Sequence, residues 1–361
     1  MKALSKEYAL FISIISLILV TTYEHSLVES IIGNIIGFLA VFIVIIYASL
    51  SVAHHAEMLA EKFGEPYGTL ILTMSAVTVE VLIIAIMMLQ SHNPQLARDT
   101  IYSAIMLDIN GLLGVAAIIG GIKFGEQPYN IDSSNSYISM LLVAIGISMI
   151  VPHYIKGAEQ LSLFMNFIVV IFILLYLVFT KIQLKNHKYF FEYNHPDNQK
   201  KEIKHHKSDI AKINSLYHTI LLIIYIVIIG FLAEILSIFM SNNLQELNLP
   251  LTLGAVGVAI ISASPELIVA IRAALDNRMQ TVINIALGAS LATILLTVPA
   301  VIVISKIAGL SIELAITPIQ GLLLGLTLIV SIVNFNDGET NMLEGFLHFI
   351  LFIVFTFLLF L

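Results

Sequence analysis

Cysteine is absent from the 361 residues, which excludes disulfides, iron-sulfur clusters and thiolate metal sites. Charge is scarce: 11% of the residues are Asp, Glu, Lys or Arg against 58% hydrophobic, and mean hydropathy is +0.97, far outside the range of water-soluble enzymes. With 9 prolines, 20 glycines and no ten-residue stretches of alternating polarity, a transmembrane β-barrel has no support. No H-E-x-x-H, G-x-S-x-G or Walker A pattern occurs, so the chain is not read as an enzyme or an ATP-driven pump. The net charge of -7 is only an average; where each charge sits carries the argument.

What is abundant comes in blocks of about 20 apolar residues, the length an α-helix needs to cross about 30 Å of hydrocarbon. These lie near 8–22, 29–53, 67–90, 101–121, 137–152, 161–181, 215–240, 250–275, 281–305, 311–333 and 343–361, eleven in all. The first has no small-residue cleavage site followed by a soluble domain and is kept as a span rather than a signal peptide. A cytoplasmic N-terminus puts 14 lysines and arginines inside, eight of them between Lys181 and Lys212, and leaves Arg98, Lys156 and Lys306 outside, as the positive-inside rule requires. The expected fold class is an all-α polytopic membrane protein of about eleven helices.

Two stretches superpose without a gap at an offset of 186: 68-GTLILTMSAVTVEVLIIAIMML-89 and 254-GAVGVAIISASPELIVAIRAAL-275. Gly68 falls on Gly254, Thr78 on Ser264 and Glu80 on Glu266. Each is followed by a charged break and another apolar span, 101-IYSAIMLDINGLLG-114 and 282-VINIALGASLATIL-295. The third span runs outward and the eighth inward, so the copies form an inverted repeat, the arrangement that in secondary transporters puts the substrate near the midplane. The layout predicts an N-terminal helix (1–28), a first five-helix repeat (29–181), a basic, His-rich cytoplasmic loop (182–214) and a second repeat (215–361).

A charge near the bilayer centre costs at least about 2.5–3.5 kcal/mol and is retained where it is used or paired. Glu80 and Glu266 both fall near mid-span. Carboxylates from inversely related helices can meet one cation, and no Arg or Lys lies mid-span to neutralise them. Hard cations take carboxylate, hydroxyl and carbonyl oxygens, which singles out Ser75 and Thr78 with Glu80, and Ser262 and Ser264 with Glu266. Pro265 is expected to break the helical ladder and free carbonyls as further ligands. Asp108 and Asn110 on the fourth span and Ser290 and Thr293 on the ninth are further candidates, interhelical hydrogen bonding being the alternative for each. Glu234 and Glu313 are read as structural. Two like charges confined together raise at least one pKa, so protons compete with the cation and exchange follows.

At these residues the sequence resembles the calcium/cation antiporter superfamily, specifically its cation/proton exchanger branch of the bacterial ChaA type. The resemblance rests on 54-HHAEMLAEKFGEPYGTLIL-72 leading into Glu80 and on 262-SASPELIVAIRAALDNRMQTVINIALGASLATILLTVP-299, and covers most of 29–333. It implies eleven helices, two inverted five-helix repeats after the first, and Glu80 and Glu266 as the cation ligands. His54, His55 and Glu57 are by the same resemblance candidates for proton or cation entry, solvated helix-end residues being the alternative. Ala76-Val77 and Ser262-Ala263 stand where the wider family carries Gly-Asn, which leaves room for Na⁺ or K⁺ beside Ca²⁺. The central histidines, His187, His195, His205 and His206, are read as part of a solvated loop that lysines hold to anionic headgroups. The resulting expectation is Ca²⁺/H⁺ antiport in a bacterial inner membrane. Na⁺(K⁺)/H⁺ antiport is the alternative, and a passive channel a remote one. The partners are inorganic cations, protons and the bilayer, with no resident cofactor and no nucleic acid, and a homo-oligomer is left open.

Overall fold

A computed structural model describes residues 7–63, 67–192 and 214–360. Its helices are α1 (Tyr8–Val28), α2 (Ile31–Phe63), α3 (Tyr67–Ser91), α4 (Leu96–Met106), α5 (Leu113–Phe124), α6 (Ile131–Ile145), α7 (Ala158–Lys181), α8 (Ser215–Glu246), α9 (Thr252–Leu275), α10 (Met279–Ala292), α11 (Val298–Ala308), α12 (Pro318–Asn334) and α13 (Met342–Leu358). A π turn, Leu107–Leu112, joins α4 to α5 in one run, and a second, Thr293–Thr297, joins α10 to α11. Among the described residues nine helices are long and apolar enough to cross a membrane, and the two shorter apolar ones, α12 and α13, complete the eleven blocks of the sequence. Large apolar side chains such as Ile32, Leu322 and Ile307 lie exposed, a surface suited to lipid and not to water.

Helix ends follow local chemistry. Asn214 caps α8 by accepting from the Tyr217 amide, and Asn130 caps α6 by accepting from the Asp132 amide. The block expected over 311–333 becomes helical only at Pro318. Thr317 and Gln320 form a reciprocal capping box, with Pro318 at the first helical position. The residues before it, 310–317, have no regular secondary structure, and the Ile316 amide bonds to the Met149 carbonyl. Pro265 also departs from expectation, because α9 passes through it unbroken. Its missing N–H frees one carbonyl, that of Ile261, while the flanking bonds hold the helix; departures from the α ladder fall at the π turns instead.

Seven element starts after α1 recur in order in the second half of the chain. Helix and turn starts at Ile31, Tyr67, Leu96, Leu107, Leu113, Ile131 and Ala158 return at Ser215, Thr252, Met279, Thr293, Val298, Pro318 and Met342, shifts of 184, 185, 183, 186, 185, 187 and 184 residues. The compact units nevertheless do not follow the two halves. One lies within Met1–Leu96 and Glu202–Pro265, the other within Ala97–Lys201 and Glu266–Leu361, and the boundary falls inside α9 at Pro265.

In the first unit α2 packs on α1, α3 and α8. Gly37 makes the notch for the Phe239 ring, since a Cβ there would stand 2.7 Å from it. Asn34 Nδ2 donates to Asn243 Oδ1 at 3.0 Å and Asn243 Nδ2 to the Asn34 carbonyl at 3.2 Å, a reciprocal amide pair buried between two apolar helices.

In the second unit α5 and α13 touch backbone to backbone. A Cβ on Gly345 would lie 2.8 Å from the Gly114 carbonyl oxygen, and one on Gly121 would lie 2.4 Å from the Met342 amide nitrogen. The antiparallel pair β1 (Glu126–Pro128) and β2 (Glu339–Asn341) closes this end, with Gln127 opposite Thr340. Gln127 Nε2 reaches the Ala274 carbonyl and Asn277 Oδ1. Burial, then the carboxylates of Asp337, Glu344 and Glu339, push the nearby Tyr129 phenol up, so it stays protonated.

Candidate functional site

Glu80 is the fourteenth residue of α3 and only 4% exposed. Ser75 Oγ donates to the Ile71 carbonyl and Thr78 Oγ1 to the Met74 carbonyl, each at 2.6 Å. On α9, Ser262 Oγ donates to the Ala259 carbonyl at 3.1 Å and Ser264 Oγ to that of Ile260. All four predicted hydroxyls thus spend their proton on their own helix and keep lone pairs for another partner. At about 100° per residue, Thr78 and Ser264 sit roughly 200° round the helix from Glu80 and Glu266, whereas Ser262 lies about 40° from Glu266. The exposure of Thr78 beside buried Glu80 matches that separation.

The second unit holds the fourth- and ninth-span candidates. Ser290 Oγ donates to Asp108 Oδ2 at 3.2 Å, and both residues are buried. Thr293, 5% exposed, opens the second π turn. Asn110 lies in the first π turn, completely buried. Its Nδ2 donates to Thr327 Oγ1 at 2.9 Å, and its Oδ1 stands 3.0 Å from His348 Nδ1. These two of the four π turns among the described residues thus carry predicted polar residues inside an otherwise apolar helix, and an inserted residue at a π turn is a frequent mark of function; the other two, Gly146–Ile150 and Ile182–Asn186, carry none of them.

His55 is buried, while His54 and Glu57 are exposed. His55 Nδ1 faces His218 Nδ1 at 2.9 Å, so one of these nitrogens carries a proton and the other accepts it. His55 Nε2 lies 3.4 Å from Glu7 Oε2, and Tyr217 and Tyr225 donate to Glu7 at 2.7 and 3.3 Å. The cluster ties the start of α1 to α2 and α8. His195, His205 and His206 lie outside the described residues, as does the Gly64–Pro66 part of the first motif.

Glu313, read as structural, accepts from Arg98 Nη1 at 3.1 Å. Arg98 Nε also meets Asp99 Oδ1 at 2.9 Å, and Gln320 Nε2 donates to the same oxygen at 3.1 Å. This buried arginine therefore serves α4 and the chain entering α12.

A family model described as sodium/calcium exchanger protein matches residues 33–185 and 217–361. The chain belongs to that family. The family is one of membrane cation transporters, not of enzymes. The chain is similar to the sodium-potassium/proton antiporter ChaA of Escherichia coli (strain K12), 34% identical over 311 residues that cover 86% of this chain and 85% of that one. It is also similar to the Ca²⁺/H⁺ antiporter ChaA of Bacillus subtilis (strain 168), 24% identical over 308 residues, 84% of this chain and 86% of that one. Among solved structures, native YfkE matches with a TM-score of 0.77 at 18% identity, covering 97% and 99% of the two chains. The H⁺/Ca²⁺ exchanger CAX matches at 0.66 and 17%, covering 98% and 88%. These likenesses confirm the expected fold class.

Sequence reasoning missed Glu7, His218, Thr327 and His348. A signal existed for the last, because a histidine seven residues into an apolar helix is an intramembrane ionisable group and worth a partner search. No periodicity could have found Glu7, whose partners lie 210 and 218 residues away.

Proposed function

We propose that the protein is a secondary cation/proton antiporter that exchanges Ca²⁺ for H⁺ by alternating access, Glu80 and Glu266 each holding cation or proton in competition. One observation carries this: a mid-helix glutamate stands at the same place in both copies of a repeated element, and Ser262, on the same helix face as Glu266, has its proton already committed to a carbonyl. Such a donor set offers charge and lone pairs but no hydrogen-bond donors, which suits a hard cation. Two carboxylates balance one divalent ion or two protons, so the charge arithmetic favours Ca²⁺. A second reading, Na⁺(K⁺)/H⁺ exchange, draws support from the name of the 34% identical relative and from Ala76-Val77, which supply no side-chain amide before Glu80.

On this reading Asp108, Asn110, Ser290 and Thr293 complete the polar path. His54, His55 and Glu57 line the cytoplasmic entry, the N-terminus is cytoplasmic, the two five-helix repeats are inverted, and the host is a bacterial plasma membrane. The test is proton flux in proteoliposomes under an imposed pH gradient, with Ca²⁺, Na⁺ or K⁺ added separately. Collapse of the gradient by Ca²⁺, with Glu80→Gln and Glu266→Gln silent, is the expected result. A response to Na⁺ or K⁺ alone selects the second reading, and normal transport by either variant removes the two-glutamate assignment.

A further inference from the structure

His348 is fully buried on α13, and its Nε2 has no hydrogen-bond partner among the described residues. We propose that His348 is a positioning residue for the exchange reaction: it locks the Asn110 amide in one orientation and so holds the π turn that presents Asp108 to Ser290. The proposal rests on the antiport reading for its function, and on the following geometry for its structure.

Thr327 has one hydroxyl proton, and the Leu323 carbonyl at 3.0 Å is a better acceptor for it than the Met106 sulfur at 3.8 Å. Thr327 Oγ1 can then only accept, and what it accepts is the Asn110 Nδ2 proton at 2.9 Å. That turns Nδ2 toward α12 and Oδ1 toward α13. Oδ1 must receive a proton, and His348 Nδ1 at 3.0 Å supplies it. The hydrogen therefore sits on Nδ1, and Nε2, fully buried and without a partner among the described residues, is left bare in the neutral ring.

The ring itself is held on two sides. It stacks on Phe335 with centroids 5.4 Å apart and planes 7° apart, and the Gly114–Gly345 contact brings α13 against α5 one turn away. Asn110 is two residues from Asp108 in the same π turn. A donor removed at 348 strands a buried carbonyl oxygen and lets the amide turn over, which disturbs the neighbouring carboxylate without touching its charge.

The experiment compares wild type, His348→Leu and His348→Asn in the proteoliposome assay with Ca²⁺ and with Na⁺. An asparagine amide places an N–H near the Nδ1 position, whereas leucine fills the space without a donor. His348→Leu is expected to raise the half-saturating cation concentration about tenfold, the loss of one buried hydrogen bond. The maximal rate should stay within about twofold, as for an interaction acting on binding. His348→Asn should stay within about threefold of wild type. An unchanged half-saturation in His348→Leu overturns the proposal, and so does His348→Asn being as impaired as His348→Leu, the pattern of a residue that only packs. Should His348→Leu not fold, the ¹⁵N-histidine spectrum of the wild type decides: a hydrogen on Nδ1 supports the lock and one on Nε2 overturns it. If wild-type vesicles move no protons with Ca²⁺, Na⁺ or K⁺, the antiport reading falls while the tautomer measurement still judges the lock.

Discussion

Gly345→Ala tests how closely packing and site are coupled. The new Cβ would stand 2.7 Å from the Ile118 amide nitrogen and 2.8 Å from the Gly114 carbonyl oxygen, and both neighbours are backbone of α5. Ordinary contact begins at 3.4 Å, so α13 must withdraw by about 0.7 Å. Overpacking of this kind costs about 1–3 kcal/mol. The same withdrawal, added to the 3.0 Å between His348 Nδ1 and Asn110 Oδ1, takes that hydrogen bond past its useful range. Thermal unfolding of the purified protein in detergent, read beside half-saturation by cation in vesicles, should therefore show a lowered midpoint and a weakened affinity together. Gly325→Ala on α12 is the matched control, because a Cβ there meets nothing within 4 Å. It should be neutral, or stabilising by up to about 1 kcal/mol from helix propensity. If the two alanine variants unfold alike, the close helix contact does not hold the second unit together as described.

Three further outcomes follow from the same reasoning. Arg98→Met leaves Asp99, 6% exposed, with only Gln320 of the two donors described above and should cost about 3–5 kcal/mol in unfolding experiments. Glu313→Gln, at a side chain 48% exposed, should cost at most about 1 kcal/mol. Asn34→Leu should destabilise by about 0.6–1.7 kcal/mol, and Asn34→Leu with Asn243→Leu should be more stable than either single variant, since no buried amide is then stranded; strict additivity in the double-mutant cycle would argue against the pair.

The eleven helices were legible because a bilayer imposes a length and an apolar composition that no soluble context requires. Helix ends were less so. The start of α12 depends on a capping box and a proline, and 311–317 are apolar enough to look like helix although they form none. Pro265 misled for a related reason: proline disfavours a helix locally, but one missing hydrogen bond inside a 24-residue helix does not end it. The glutamates were visible because an intramembrane carboxylate is costly and here occurs twice at one offset. The partners of Asn110 were not, since Thr327 and His348 lie 217 and 238 residues away and only packing brings them near.

Two of the π turns fall at matching places in the recurring order of elements. Leu107–Leu112 and Thr293–Thr297 begin 186 residues apart, the same offset that aligns Glu80 with Glu266, so both halves of the chain carry a π turn at the matching place. A π turn widens a helix and weakens its ladder. The side chains it presents have nevertheless diverged: the first turn carries Asp108 and Asn110, the second Thr293 and Thr297. A duplicated backbone with unequal polar content gives one copy a carboxylate where the other offers hydroxyls. The carboxylate of Asp108 lies in the first of these turns alone, beside Ser290 and two residues from Asn110, which His348 meets. On the proposed reading Asp108 and its support bear on ion choice beside the paired glutamates, and Asp108→Asn should change the ratio of Ca²⁺ to Na⁺ transport in the vesicle assay more than Glu313→Gln does.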